Sequence, residues 1–140
     1  TPQNVTRECV GVFSGNCEPI TPEWAFNLRT TLSIDDLVDI SLLWRWIDGV
    51  TYEFNDGMDG GNGFLAESQA FDDASYFDLS FRSNVSENFD VTFSVFNLLD
   101  RDAPETSSFI GSSSYNSGNT YPTTYDVLGR SYQVTGRLRF

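Results

Sequence analysis

Ser131–Phe140 reads SYQVTGRLRF, and its alternate positions separate into two chemically distinct faces. Tyr132, Val134, Gly136, Leu138 and Phe140 form one; Ser131, Gln133, Thr135, Arg137 and Arg139 form the other. A period of two is the pattern of a β-strand, whose successive side chains point to opposite faces. A strand with one charge-free face, about 9–11 residues long, has the length needed to cross a bilayer at a tilt.

Four earlier stretches repeat the pattern. Strands are expected at about 24–33, 38–47, 76–85 and 89–98, besides 131–140. In the first, Trp24, Phe26, Leu28, Thr30 and Leu32 oppose Ala25, Asn27, Arg29, Thr31 and Ser33. In the second, Val38, Ile40, Leu42, Trp44 and Trp46 oppose Asp39, Ser41, Leu43, Arg45 and Ile47. Every charge in the five strands (Arg29, Asp39, Arg45, Asp78, Arg82, Asp90, Arg137 and Arg139) falls on one alternate face. The other face is apolar or aromatic apart from Thr30, Ser83, Asn97 and Gly136. An arginine at the bilayer midplane on a lipid-facing position costs about 2–4 kcal/mol, so such segregation is expected of a membrane strand.

The connections point the same way. Turns at Ile34–Leu37 and Ser86–Asn88 are short, whereas 1–23, 48–75 and 99–130 are long. Transmembrane barrels place short turns on the periplasmic side and long loops outside. Trp24, Trp44, Trp46, Phe77 and Tyr132 then fall near the outer ends, with Phe89 and Phe140 near the inner ends, as two aromatic girdles. The fold expected is an all-β, antiparallel segment of a transmembrane β-barrel. Five strands cannot close a barrel, and open edges are not tolerated in hydrocarbon, so further strands are expected from elsewhere. The chain opens at Thr1 without an initiator Met or signal peptide, as either a mature start or the tail of a longer polypeptide. The competing reading is a soluble or surface β-sandwich binding module, possibly carbohydrate-binding, with the apolar face turned inward.

Composition narrows the function. Twenty acidic residues against eight arginines and no lysine give a net charge of −12, which argues against nucleic acid. No stretch of about 18 apolar residues offers a transmembrane helix. Histidine is absent. The usual general base for a serine or cysteine nucleophile is therefore missing. The carboxylate pairs Asp35-Asp36, Asp72-Asp73 and Asp100/Asp102 read as solvated loop residues rather than a glycosidase pair. No enzyme, cofactor or resident metal is expected. Asn55–Gly63 carries hard oxygen ligands of the kind calcium takes but lacks the distal bidentate glutamate of an EF-hand loop. Cys9 and Cys17, eight apart in a polar stretch, favour a disulfide and an oxidising compartment over two free thiols. Hydroxyls, amides and aromatic rings in the long loops suit stacking on a ligand, making Tyr52, Asp56, Asp59, Tyr115, Asn116, Tyr121 and Tyr125 the candidate ligand-binding residues.

Two segments carry a family resemblance. Phe93-Ser94-Val95-Phe96-Asn97-Leu98-Leu99-Asp100 is similar to a V-x-N-L-F/L-D segment, and Tyr125-Asp126-Val127-Leu128-Gly129-Arg130-Ser131-Tyr132 to a Y-D-x-x-G-R-x-Y lead-in, both near the C-terminus of TonB-dependent outer-membrane receptors. The terminal Phe140 completes the likeness. The resemblance implies the last five strands of a barrel of about 22 strands, in the outer membrane of a Gram-negative bacterium. It implies uptake of an iron-siderophore complex, cobalamin or a carbohydrate with energy delivered through periplasmic TonB. The plug domain and the TonB-binding box of such receptors are not in this stretch. On this reading Arg29, Asp39, Arg45, Asp78, Arg82, Asp90, Arg137 and Arg139 line the lumen and face the plug, the alternative being a wall wetted only by water. Tyr132, Val134, Leu138 and Phe140 resemble the signal read by the outer-membrane assembly machinery. The remaining partners implied are the other barrel strands and outer-membrane lipid.

Overall fold

A computed structural model describes residues 6–17, 19–53, 70–106 and 120–140. Eight strands form in chain order: β1 (Val12–Phe13), β2 (Ala25–Ile34), β3 (Val38–Ile47), β4 (Val50–Tyr52), β5 (Ala70–Phe71), β6 (Ala74–Ser86), β7 (Phe89–Phe96) and β8 (Ser131–Leu138). No helix occurs among the described residues. The strands belong to two sheets, of order β2-β3-β6-β7-β8 and β1-β4-β5. The chain divides accordingly into two compact units.

The five-stranded sheet lies in the unit formed by Ala25–Ile47, Ser75–Ala103 and Asp126–Phe140. Its registers keep like with like. Phe26 pairs with Trp46, Leu28 with Trp44 and Leu32 with Ile40. Phe81 pairs with Phe93 and Leu79 with Val95, while Val134 and Leu138 meet Phe93 and Phe89. Between these rows Asn27 meets Arg45, Ser33 meets Asp39, and Asp90 meets Arg137. A slip of one residue would exchange the two faces, so alternation specifies the register strongly. The expected all-β antiparallel sheet is present, and among the described residues β2 and β8 form its open edges.

Local chemistry sets the strand ends. Asp35 and Asp36 both take left-handed backbone angles, φ 48° and 55°, and the Leu37 amide donates to the Ile34 carbonyl at 3.0 Å. Two left-handed central residues give a hairpin turn whose twist matches its strands, and aspartate tolerates that region. Between β6 and β7 the register shifts at Asn84/Ser86, so Val85 is an extra, bulged residue. β7 stops at Phe96, earlier than the expected 98, because Asn97 turns left-handed at φ 50°. β8 stops at Leu138, although the Arg139 amide still donates to the Asn88 carbonyl at 2.8 Å.

The described parts of Thr1–Trp24, Asp48–Ala74 and Pro104–Tyr125 form the second unit. These stretches read as loops in the sequence, yet they carry a core of their own. Phe13 is fully buried, its ring stacked on Phe71 at 4.6 Å and set edge-on to Tyr52 and Tyr121 at 5.8 and 6.1 Å. β1 joins β4 in parallel, with β5 antiparallel on the far side. A Cys9–Cys17 disulfide, as expected, closes the hairpin that delivers Phe13. Glu53 fastens that hairpin to the end of β4: its carboxylate accepts from Arg7 at 2.7 Å and from the Ser14 hydroxyl at 2.8 Å.

A disulfide closing so short a loop stabilises by about 2–3 kcal/mol in the chain-entropy model. Cys9→Ser/Cys17→Ser is therefore expected to raise hydrogen exchange at the Thr51 and Glu53 amides, which donate to Gly11 and Phe13 carbonyls. Exchange within β2 and β3, measured by mass spectrometry, stays at its native rate.

Candidate functional site

The charged face of the five-stranded sheet gathers the residues expected to line a lumen. Arg45 on β3 donates to both carboxylate oxygens of Asp78 on β6, from Nε at 2.8 Å and Nη2 at 3.0 Å. Nη2 also reaches Asp126 at 3.3 Å, and the guanidinium lies 5.2 Å from the Tyr76 ring centroid. Paired parallel bonds between guanidinium and carboxylate are the stronger kind of charge-assisted contact. Farther along the face, Asp90 is 5% exposed and accepts from Arg82 at 3.2 Å and Arg139 at 3.0 Å. Asp39 accepts from Ser33 at 2.6 Å, and Arg29 has a long contact to the Ser41 hydroxyl at 3.4 Å. Arg137 lies opposite Asp90 in register and has no carboxylate partner among the described residues.

The sequence placed these groups on one face but did not show that Arg45, Arg82 and Arg139 bond to aspartates of neighbouring strands within it. Spacing alone could have suggested it, since registers fixed by alternation bring Arg82 and Asp90 to adjacent positions.

The two motif segments prove to be halves of one junction between β7 and β8. Asn97 is fully buried; its side-chain amide donates to the Arg101 carbonyl and its oxygen accepts the Arg101 amide, both at 2.9 Å. The Asn97 amide in turn donates to Asp78 at 2.9 Å. Asp100, also left-handed, accepts the Arg130 amide at 2.8 Å, while Arg130 Nε donates to the Leu98 carbonyl at 3.1 Å. Gly129 sits at φ 69°, where a Cβ would come within 3.1 Å of the Asp100 carboxylate. Asp126 ties the start of this lead-in to Arg45. The junction therefore holds the ends of β3, β6, β7 and β8 in fixed relation.

The opposite face is apolar and uncovered. Phe81 and Phe93 are each 43% exposed and Leu138 57%. Toward one end, Phe26 packs against Trp44 and Trp46 at 4.9 and 5.4 Å, and Trp44 stacks on Phe77 at 5.9 Å. Tyr132, Val134, Leu138 and Phe140, the expected assembly signal, are all exposed on or beside the edge strand β8. At the turn end, the charged side holds a recess of about 370 Å³ bounded by Arg82, Asp90, Arg139 and the two hairpin turns.

Of the candidate ligand-binding residues, Tyr52, Tyr121 and Tyr125 are buried, at 2%, 0% and 3% exposure. They pack in the smaller unit, where Tyr125 meets Phe71 edge-on at 5.6 Å. Asp56, Asp59, Tyr115 and Asn116 lie outside the described residues, as does the calcium-like stretch 55–63. No group of three metal-ligating side chains occurs among the described residues.

A two-faced sheet of long strands, greasy and exposed on one side and charged on the other, has the pattern that the wall of a transmembrane β-barrel requires. Solved receptors carry the same fold. Three structures of the ferric enterobactin receptor of Pseudomonas aeruginosa match it: a single-site variant with a TM-score of 0.55, and a second variant in complex with enterobactin and a double variant with TM-scores of 0.56. Each match covers 81% of this chain at 15% identity. The chain spans 16% of the length of those receptors. No protein-family model and no curated protein matches the sequence. The fold implied by the two motifs, that of a TonB-dependent receptor barrel, is the fold found.

Two substitutions test the junction. Asp78→Asn loses one charged acceptor of Arg45 and weakens the bond to the Asn97 amide, and is expected to cost about 1–3 kcal/mol in denaturant unfolding. Gly129→Ala is expected to cost about 1–2 kcal/mol, from its left-handed backbone and the crowding of Asp100. That cost falls in an Asp100→Ala background, a coupling that a double-mutant cycle reads directly.

Proposed function

We propose that this chain is part of the barrel wall of a Gram-negative outer-membrane receptor that takes up a scarce ligand, such as an iron-siderophore complex, cobalamin or a carbohydrate, with energy supplied through TonB. The observation that carries the reading is the uncovered apolar face of a sheet whose charges all lie on the other side. In water, exposed apolar surface of this extent marks an interaction site, and lipid is the partner that asks only for apolar character. A β-sandwich would have a second layer over this face; Phe81, Phe93 and Leu138 have none among the described residues.

The charged face then borders the lumen, where Arg29, Asp39, Arg45, Asp78, Arg82, Asp90, Arg137 and Arg139 meet water or the plug of the same receptor. Because Arg45, Arg82 and Arg139 already hold aspartates, the contacts left for a plug are fewer than the number of arginines suggests. Asp56, Asp59, Tyr115 and Asn116 are the residues proposed to approach ligand. Tyr52, Tyr121 and Tyr125 hold the core of the smaller unit, so their effect on uptake would be indirect. The site needs no catalytic group: selection of a ligand by loops and passage through a wall require none.

Full-length protein carrying this segment is expected in the outer-membrane fraction, migrating as a compact band on gels until heated. Phe81→Arg is expected to lower barrel stability by about 2–4 kcal/mol, whereas Ser80→Arg, one residue away on the charged face, changes it little. Equal sensitivity at both positions, or a stable product in the soluble fraction, contradicts the reading.

A further inference from the structure

The arginines of the charged face follow a rule. Those on strands with neighbours on both sides are bonded to an aspartate of an adjacent strand: Arg45 on β3 to Asp78 on β6, and Arg82 on β6 to Asp90 on β7. At the β8 edge, Arg139 also reaches Asp90 and Arg137 stands across from it in register, whereas Arg29 on the β2 edge has no carboxylate opposite or diagonal to it among the described residues. The neighbours of Arg29 within the sheet are ill suited to it. Leu43 lies opposite, and the diagonal positions hold Ser41 and a like charge, Arg45. Along the same edge β2 is exposed over its whole length, so one side of its backbone awaits a ladder partner.

We infer that the free edge of β2 is an interface for an antiparallel strand that carries a carboxylate facing Arg29. The inference rests on the barrel reading above and specifies the chemistry of the strand that continues the wall. An unpaired β-edge is a template for another strand, and opposite charges directly across a pair stabilise it. The occupant is a strand of the same barrel outside residues 1–140, apolar on the side continuous with Phe26 and Leu28, and acidic where it meets Arg29. Without such a strand the row Asn27, Arg29, Thr31 and Ser33 holds a lone cation beside Arg45. With it, the row repeats the pairing seen at β3–β6 and β6–β7.

The test uses the full-length receptor in outer membranes, with Arg29→Gln and Arg29→Glu compared by the temperature at which the compact gel band converts to the unfolded one. A carboxylate across from position 29 makes Arg29→Glu the worse substitution, with conversion a few degrees below that of Arg29→Gln. Exchanging the facing acidic residue for arginine in the Arg29→Glu background restores the loss. Within the described sheet alone, glutamate at 29 would gain attraction to Arg45. Conversion of Arg29→Glu at or above Arg29→Gln therefore overturns the inference while leaving the barrel reading intact. A wild-type protein with no compact, heat-convertible band overturns the barrel reading, and this inference with it.

Discussion

Confinement of charge to one side of a single layer is the constraint on which the rest of the structure depends. A sheet has two faces, and a soluble protein normally turns its apolar one toward a second layer. Here the five long strands keep their apolar rows in register, Phe26 with Trp46 and Phe81 with Phe93, and leave them uncovered. Backbone groups inside the sheet are satisfied by the ladder, so the strands can enter hydrocarbon without exposing peptide polarity. The charged rows are free to use ionic contacts that lipid would forbid, and Arg45–Asp78 and Arg82–Asp90 do so across strand boundaries.

Held this way, the sheet needs its strand ends fixed independently of the long connecting segments. The β7–β8 junction does this with short-range chemistry. Asn97 turns the chain out of β7 and closes on Arg101, while Asp100 receives the chain again at Arg130 before β8 begins. Twenty-eight residues lie between Arg101 and Arg130, yet the two ends meet through a handful of hydrogen bonds.

Much of the sheet was legible because period-two alternation reports directly which side each residue faces. The strand ends were less so. Nothing in the alternation of Phe89–Leu98 announces that Asn97 adopts a left-handed backbone, and the bulge at Val85 keeps apparent alternation on both sides of itself. The smaller unit was not legible as a unit at all. Its strands are two or three residues long, and β1 pairs in parallel with a segment almost forty residues away, a contact no local pattern encodes. The disulfide could be read from spacing, but not the fact that it seats Phe13 in an aromatic core. The tyrosines show the same ambiguity: a ring with a hydroxyl suits a ligand or a core equally, and Tyr52, Tyr121 and Tyr125 went to the core. Cross-strand ion pairs needed register as well as face, which is why the arginines looked freer in the sequence than they are.

The most direct measurement concerns the side to which Trp44 and Trp46 point. Full-length protein carrying this segment, with the other tryptophans replaced by phenylalanine, can be reconstituted into vesicles whose lipid chains carry bromine at a defined depth. If the apolar face meets lipid, fluorescence from these two residues is strongly quenched by bromine placed near the headgroups and is insensitive to iodide in the aqueous phase. Quenching by iodide without quenching by brominated lipid would show the face turned to water or protein, and the account would be wrong.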